Sequence, residues 1–143
     1  MKMTVLQRGT VMASERICGR FNWPTVARLP DGRLLTVASG FRMTHVCPFG
    51  KVTGAYSEDD GKSWSLPTAF IDTPLDDRDA GIAVQGNRVI ITSFNESRAC
   101  TAASDWQITP GKKALREAYQ ALITDAEETE WLGSEYILSE DGG

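Results

Sequence analysis

The chain has one histidine, His45, and three cysteines, Cys18, Cys47 and Cys100, among 143 residues. An odd number of widely spaced thiols without a CxxC pair argues against a disulfide framework, and a lone imidazole leaves too few ligands for a zinc site. Excess positive charge is missing as well. Fifteen Lys and Arg stand against 19 Asp and Glu, a formal net charge of −4, which offers no footprint for nucleic acid or an anionic membrane. Long apolar runs are also lacking: the opening Met1-Lys2-Met3-Thr4-Val5-Leu6-Gln7-Arg8 stops after two apolar residues. Neither a signal peptide nor a membrane anchor is expected, and the expected compartment is the cytoplasm. There is no Gly-rich phosphate loop, no HExxH, no metal-spaced acidic loop and no Ser/His/Asp elbow. The expectation is therefore no cofactor and no metal.

What remains is an ordinary globular composition, 41% hydrophobic and 24% charged with 13 Gly and 6 Pro, which predicts a single domain. Two stretches read as β-hairpins. In residues 25–39, two apolar runs flank Pro30-Asp31-Gly32, where proline presets φ and glycine accepts a positive one. Residues 80–94 repeat the layout with Gly86-Asn87 at the turn. Arg33 maps onto Arg88, 55 residues on, and Ser57 in the strand after the first hairpin maps onto Ser139, 82 residues on. The second unit thus carries 27 additional residues between its hairpin and its third strand.

Those residues have their own pattern. Thr109-Pro110 reads as an N-cap and first helical residue, and Ala114, Leu115, Ala118, Tyr119 and Leu122 fall on one stripe, so a helix is expected over about 110–123. The acidic run Asp125–Glu130 reads as a solvated connection into Trp131 and the third strand.

Each third strand ends in a similar phrase. Ser57-Glu58-Asp59-Asp60-Gly61-Lys62-Ser63-Trp64 matches Ser-x-Asp-x-Gly-x-x-Trp at every defined position, and Ser139-Glu140-Asp141-Gly142-Gly143 matches the first half of a second copy. This phrase resembles the Asp-box of sialidase-like (neuraminidase) β-propellers, and the resemblance covers about residues 20–143. Serine and aspartate can bond the amides of a tight turn, glycine supplies the positive φ, and tryptophan can wedge between sheets. Ser57, Asp59, Gly61, Trp64, Ser139, Asp141 and Gly143 are accordingly read as structural. The fold class expected is all-β: about two blades of a six-bladed propeller, blade one over about 20–73 and blade two over about 75–143, with a helical insertion at about 95–131. On this reading the chain is an N-terminal piece of a longer protein, inactive by itself and able to self-associate through unclosed sheet edges.

The resemblance also implies where a substrate would lie: against residues 20–24, 40–50, 75–80 and the insertion. Sialidases hold the sugar carboxylate with three arginines and use a tyrosine nucleophile, a glutamate and an acid/base aspartate, an exception to the two-carboxylate scheme. The first arginine sits in a Tyr/Phe-Arg-Ile-Pro motif, but here Phe21-Asn22-Trp23-Pro24 has asparagine in its place. Arg20 is a candidate to compensate, and Arg42 matches a pocket-lining arginine after the second strand. Residues 40–51 contain no Asp or Glu, leaving His45 as their group that titrates near neutrality, with Cys47 read as packing. The cluster Asp76-Asp77-Arg78-Asp79 precedes the second hairpin, and Asp77 or Asp79 is the expected home of a displaced acid/base. Candidate catalytic residues are thus Asp77, Asp79 and His45, and candidate substrate contacts are Arg20, Asn22, Arg42, Asp76 and Arg78. Tyr56, Tyr119 and Tyr136 are assigned to packing.

The implied activity is release of terminal sialic acid, or a related acidic sugar, from a glycan. Two alternatives keep the fold: a non-catalytic propeller that binds glycan or protein, and a propeller glycosidase for a different sugar.

Overall fold

The computed structural model describes residues 4–104 and 108–143. The chain is mainly β, in two antiparallel sheets. The first contains β1 (Arg20–Arg28), β2 (Leu34–Arg42), β3 (Lys51–Ser57) and β4 (Thr68–Ile71) in that order. The second contains β5 (Asp76–Gln85), β6 (Arg88–Glu96) and β7 (Ser134–Ser139). Both hairpins form where the turn residues place them. Gly32 turns at φ +94 and donates to the Leu29 carbonyl at 3.0 Å, while Asp31 accepts from the Arg33 amide at 3.0 Å. The second turn is the two-residue Gly86-Asn87, with Gly86 at φ +57.

Strand register makes the repeat explicit. Leu34 faces Ser57 and Val89 faces Ser139; Thr25 faces Val37 and Gly81 faces Thr92; Asn22 faces Ser39 and Arg78 faces Phe94. The first strand of each sheet breaks register at the same place, between Asn22 and Thr25 and between Arg78 and Gly81. The first residue of each bulge has a left-handed backbone, Trp23 at φ +52 and Asp79 at φ +50, a conformation that costs a side-chain-bearing residue roughly 1–3 kcal/mol. The bulges bond across the sheets: the Thr25 hydroxyl donates to the Ala80 carbonyl at 3.0 Å, and the Asp79 amide donates to the Ser39 hydroxyl at 2.7 Å.

Packing follows from alternation along the strands. Leu29, Leu35, Val37, Val52, Ile71, Ala80, Val89 and Ile91 form one core, flanked by Tyr56, Phe70, Ile82 and Val84. Burying each Leu or Val side chain contributes about 1.5–3 kcal/mol. The second sheet abuts the first along β5, which contacts β1, β2 and β3. In the first sheet β4 covers the edge of β3. In the second, among the described residues, β7 pairs with β6 alone, and Tyr136, Ile137 and Leu138 are exposed.

Among the described residues three helices join β6 to β7: α1 (Arg98–Ala103), α2 (Pro110–Gln120) and α3 (Asp125–Trp131). Pro110 opens α2 after the Thr109 cap, as expected. The face it buries differs from the expected stripe. Arg116 is buried and Tyr119 half-buried, whereas Leu115 and Leu122 are exposed, Leu122 at 76%. The cause is polar: the Arg116 guanidinium satisfies the Ser104 and Ala102 carbonyls at the end of α1, which no apolar side chain could do. The acidic run is likewise a helix rather than an open connection. Thr124 and Glu127 close a capping box, and Arg98 binds Glu128, Asp125 and the Ile123 carbonyl. Among the described residues no helix is long and apolar enough to cross a membrane.

Candidate functional site

The end of β2 and the start of β5 meet, bringing Arg42 against Asp76. Both side chains are 0% exposed, and Arg42 Nη2 lies 2.6 Å from Asp76 Oδ1 and 2.8 Å from Oδ2. Arg42 also donates to the Asp77 carbonyl at 3.1 Å and the His45 carbonyl at 2.7 Å, while the Cys47 amide donates to Asp76 at 2.8 Å. Burial pushes the Asp76 carboxyl up to about 6, against the opposing pull of Arg42, the Cys47 amide and Arg78. Gly50 makes the arrangement possible. A Cβ there would fall 2.1 Å from Arg42 Nη1 and 2.3 Å from Asp76 Oδ1.

Arg78 sits beside this pair on the next inward-facing position of β5. Its guanidinium lies 3.9 Å from Asp76, 3.3 Å from Glu96 at the end of β6, and 3.5 Å from His45 Nε2. Trp23 covers both arginines, with their guanidinium carbons 5.6 Å (Arg42) and 5.5 Å (Arg78) from its ring centroid. The same indole meets the His45 ring edge-on at 5.0 Å and is itself 37% exposed. Neither Arg42 Nε nor Arg78 Nε has a hydrogen-bond partner among the described residues. His45 is held below the usual histidine range by desolvation first, then by the charges of Arg78, Arg42 and Arg20, with Asp79 opposing. Arg78 reaches the imidazole at 3.5 Å, and the charges of three further sequence candidates, Arg42, Arg20 and Asp79, act on it. Asp79 is exposed, whereas Arg42 and Arg78 are buried.

Asn22 and Asp77 have other partners. Asn22 is half-buried opposite Ser39 at the first bulge. Asp77 is 0% exposed and its carboxylate is occupied: the Thr73 amide and hydroxyl each donate to it at 2.7 Å. It also faces Glu135 at the start of β7, and burial raises both carboxyls, with their mutual charge adding to the rise at Glu135. Adjacent strand residues face opposite ways, which divides Asp77 from Asp76 and Arg78. An open cleft of about 340 Å³ beside Thr73, lined also by Asp72, Tyr119 and Glu127, carries acidic groups and suits no anion.

The two Ser-x-Asp-x-Gly turns share one hydrogen-bond pattern. Ser57 Oγ donates to Asp59 at 2.9 Å and accepts from the Gly61 amide at 2.8 Å; Ser139 Oγ donates to Asp141 and accepts from the Gly143 amide at 3.0 Å. Hydrogen bonds from the Ser63 hydroxyl and amide hold Asp59 down to about 2. Trp64 and Leu34 both pack beside Gly61. Ser57 pairs with Leu34, at the opposite end of β2 from Arg42. Eight steps of about 3.3 Å separate the turn from the arginine cluster by roughly 26 Å.

No protein-family model matches the chain, and no curated protein matches it. The argument for function therefore stands on the site. Among the described residues no three His, Cys, Asp or Glu side chains gather to hold a metal ion. Sequence reasoning missed two members of the polar centre, Glu96 and Glu135. The signal for Glu96 was present, because it closes the hairpin partner of the Asp76–Asp79 strand, two residues beyond Phe94, the partner of Arg78.

Proposed function

We propose that the arginine cluster recognises the carboxylate of an acidic sugar, and that the chain forms one flank of the substrate pocket of a sialidase-like propeller glycosidase. The observation that carries this reading is convergence: Arg42 and Arg78, from two strands in two sheets, lie under the partly exposed Trp23 indole, with Arg78 3.5 Å from the His45 ring. Guanidinium is planar and permanently charged, and an indole offers an apolar plane to a sugar ring. Arg78 is the binding arginine. Arg42 is spent on Asp76 and two carbonyls, so its role is to fix the floor on which Arg78 rests. Asp79 and His45, both next to Arg78, are the groups placed for proton transfer.

The test is titration of the protein with N-acetylneuraminate and with neutral galactose, followed by calorimetry at low salt. Saturable binding of the acid alone, weakened at least tenfold by Arg78→Gln, is expected. Equal binding of both sugars, or none, overturns the reading. Turnover of a sialoside by the chain joined to the remaining blades then separates a glycosidase from the second reading, a non-catalytic glycan-binding propeller. That second reading is favoured by the complete structural use of Asp77 and Arg42.

A further inference from the structure

The placement of Arg78 has a specific chemical effect on its neighbour. One end of the guanidinium, Nη1, faces Glu96 at 3.3 Å and the other, Nη2, faces His45 Nε2 at 3.5 Å. Arginine is a donor only and stays charged at any pH of interest. A hydrogen on Nε2 would set donor against donor, so the stable partner for Arg78 is an unprotonated Nε2, with the ring hydrogen on Nδ1. The charged groups around the ring favour the same state. Arg20 on β1, Arg42 on β2 and Arg78 on β5 oppose a positive imidazole, Asp79 on β5 supports one, and Glu96 on β6 is engaged by Arg78.

We propose that Arg78 holds His45 as a neutral imidazole protonated on Nδ1, and that an incoming sugar carboxylate draws the guanidinium away and releases Nε2 as a proton acceptor beside Asp79. The proposal rests on the acidic-sugar reading above. Arg78 is then a positioning residue as well as a binding one. Before ligand arrives, Nε2 is covered by a cation. Afterwards one cation facing the ring is neutralised by the ligand, and the affinity of Nε2 for a proton rises. By linkage, binding takes up protons, and the ligand binds more tightly as pH falls toward the histidine range. A neutral sugar has nothing to offer Arg78, so it leaves the histidine in its resting state.

A single histidine makes this directly observable. The protein, labelled with nitrogen-15 in histidine, gives one pair of ring nitrogen signals, and the assigned Trp23 indole N–H reports binding independently. The free protein is expected to show an unprotonated Nε2 and a protonated Nδ1. Saturation with N-acetylneuraminate is expected to raise the proton affinity of His45 by about tenfold, one unit on the titration curve. Arg78→Gln is expected to produce that rise without ligand, and Arg78→Lys, which keeps the charge, to preserve most of the resting state. A free protein with hydrogen on Nε2 overturns the proposal whatever binds. Binding that moves Trp23 but not His45 overturns it and leaves the acidic-sugar reading standing. Absence of any Trp23 response overturns that reading and the release step with it, while the Arg78→Gln spectrum still decides the resting state.

Discussion

Asn22 and Arg78 occupy equivalent rungs of the two sheets. Each is the last paired residue before a bulge, opposite Ser39 and Phe94 at matching positions of β2 and β6. The cation that the first sheet lacks at this rung is present on the second. Asn22→Arg should therefore add a guanidinium to the same pocket from the other side. One charge-assisted hydrogen bond contributes about 1.5–3 kcal/mol, so N-acetylneuraminate affinity should rise about tenfold at low salt, measured by calorimetry. Unchanged affinity would show that this rung does not reach the ligand.

Gly50 is the point where backbone closes over the buried ion pair. Gly50→Ala should lower stability by about 1–3 kcal/mol, as overpacking does, seen as a lower urea midpoint. Arg42→Ala should cost more, about 3–5 kcal/mol, because Asp76 would be left buried without its partner. Arg42→Met combined with Asp76→Leu should recover much of that loss. A double variant as unstable as Arg42→Ala would mean that the pair is needed for more than mutual neutralisation.

Stability should respond to pH through three raised carboxyls, Asp76 at about 6 with Asp77 and Glu135. A folded-state value above the unfolded one means that the folded protein holds its proton while the unfolded chain has lost it. Stability from these groups is therefore fully present below about pH 4 and declines as pH rises toward 6. Asp59, Asp141, Glu127 and Glu128 are lowered by hydrogen bonds to neighbouring Ser, Thr and Arg groups and act in the opposite sense, losing their contribution as pH falls below about 4. A stability maximum on the acid side of neutrality is expected from urea midpoints between pH 3 and 8. Glu135→Gln should flatten the decline above pH 4.

The Ser57 hydroxyl ties its turn together from roughly 26 Å away from the arginines. Ser57→Ala should cost about 1–2 kcal/mol through the lost bonds to Asp59 and the Gly61 amide. Ligand affinity should stay within twofold of the parent. A large loss of binding in a fully folded Ser57→Ala protein would contradict a purely structural turn.

Local chemistry made much of the fold legible. Pro30-Asp31-Gly32 and Gly86-Asn87 set their own backbones, and the two hairpins and their third strands form as read. Thr109-Pro110 likewise starts α2, but the direction it faces is decided by Arg116 finding carbonyls on α1, a non-local satisfaction that an apolar stripe does not encode. The capping box at Thr124 and Glu127 was visible as residues and was outweighed by the acidic composition around it. In the candidate site, alternation along β5 already divides Asp77 from Asp76 and Arg78. The bulge that redirects Asp79, and the fold that brings His45 to Arg78 from 33 residues away, depend on contacts between sheets.

The two bulges, whose first residues Trp23 and Asp79 are left-handed, are held by bonds that cross from one sheet to the other. An isolated hairpin has no partner to stabilise so strained a backbone, so each bulge should relax to regular pairing until the sheets dock. The order of assembly follows. Hairpins should form first and the bulges only once the sheets meet, so Thr25→Val and Ser39→Ala should slow refolding. The arginine cluster should then be the last part of the molecule to form, with the Trp23 signal a clock for docking rather than for strand formation.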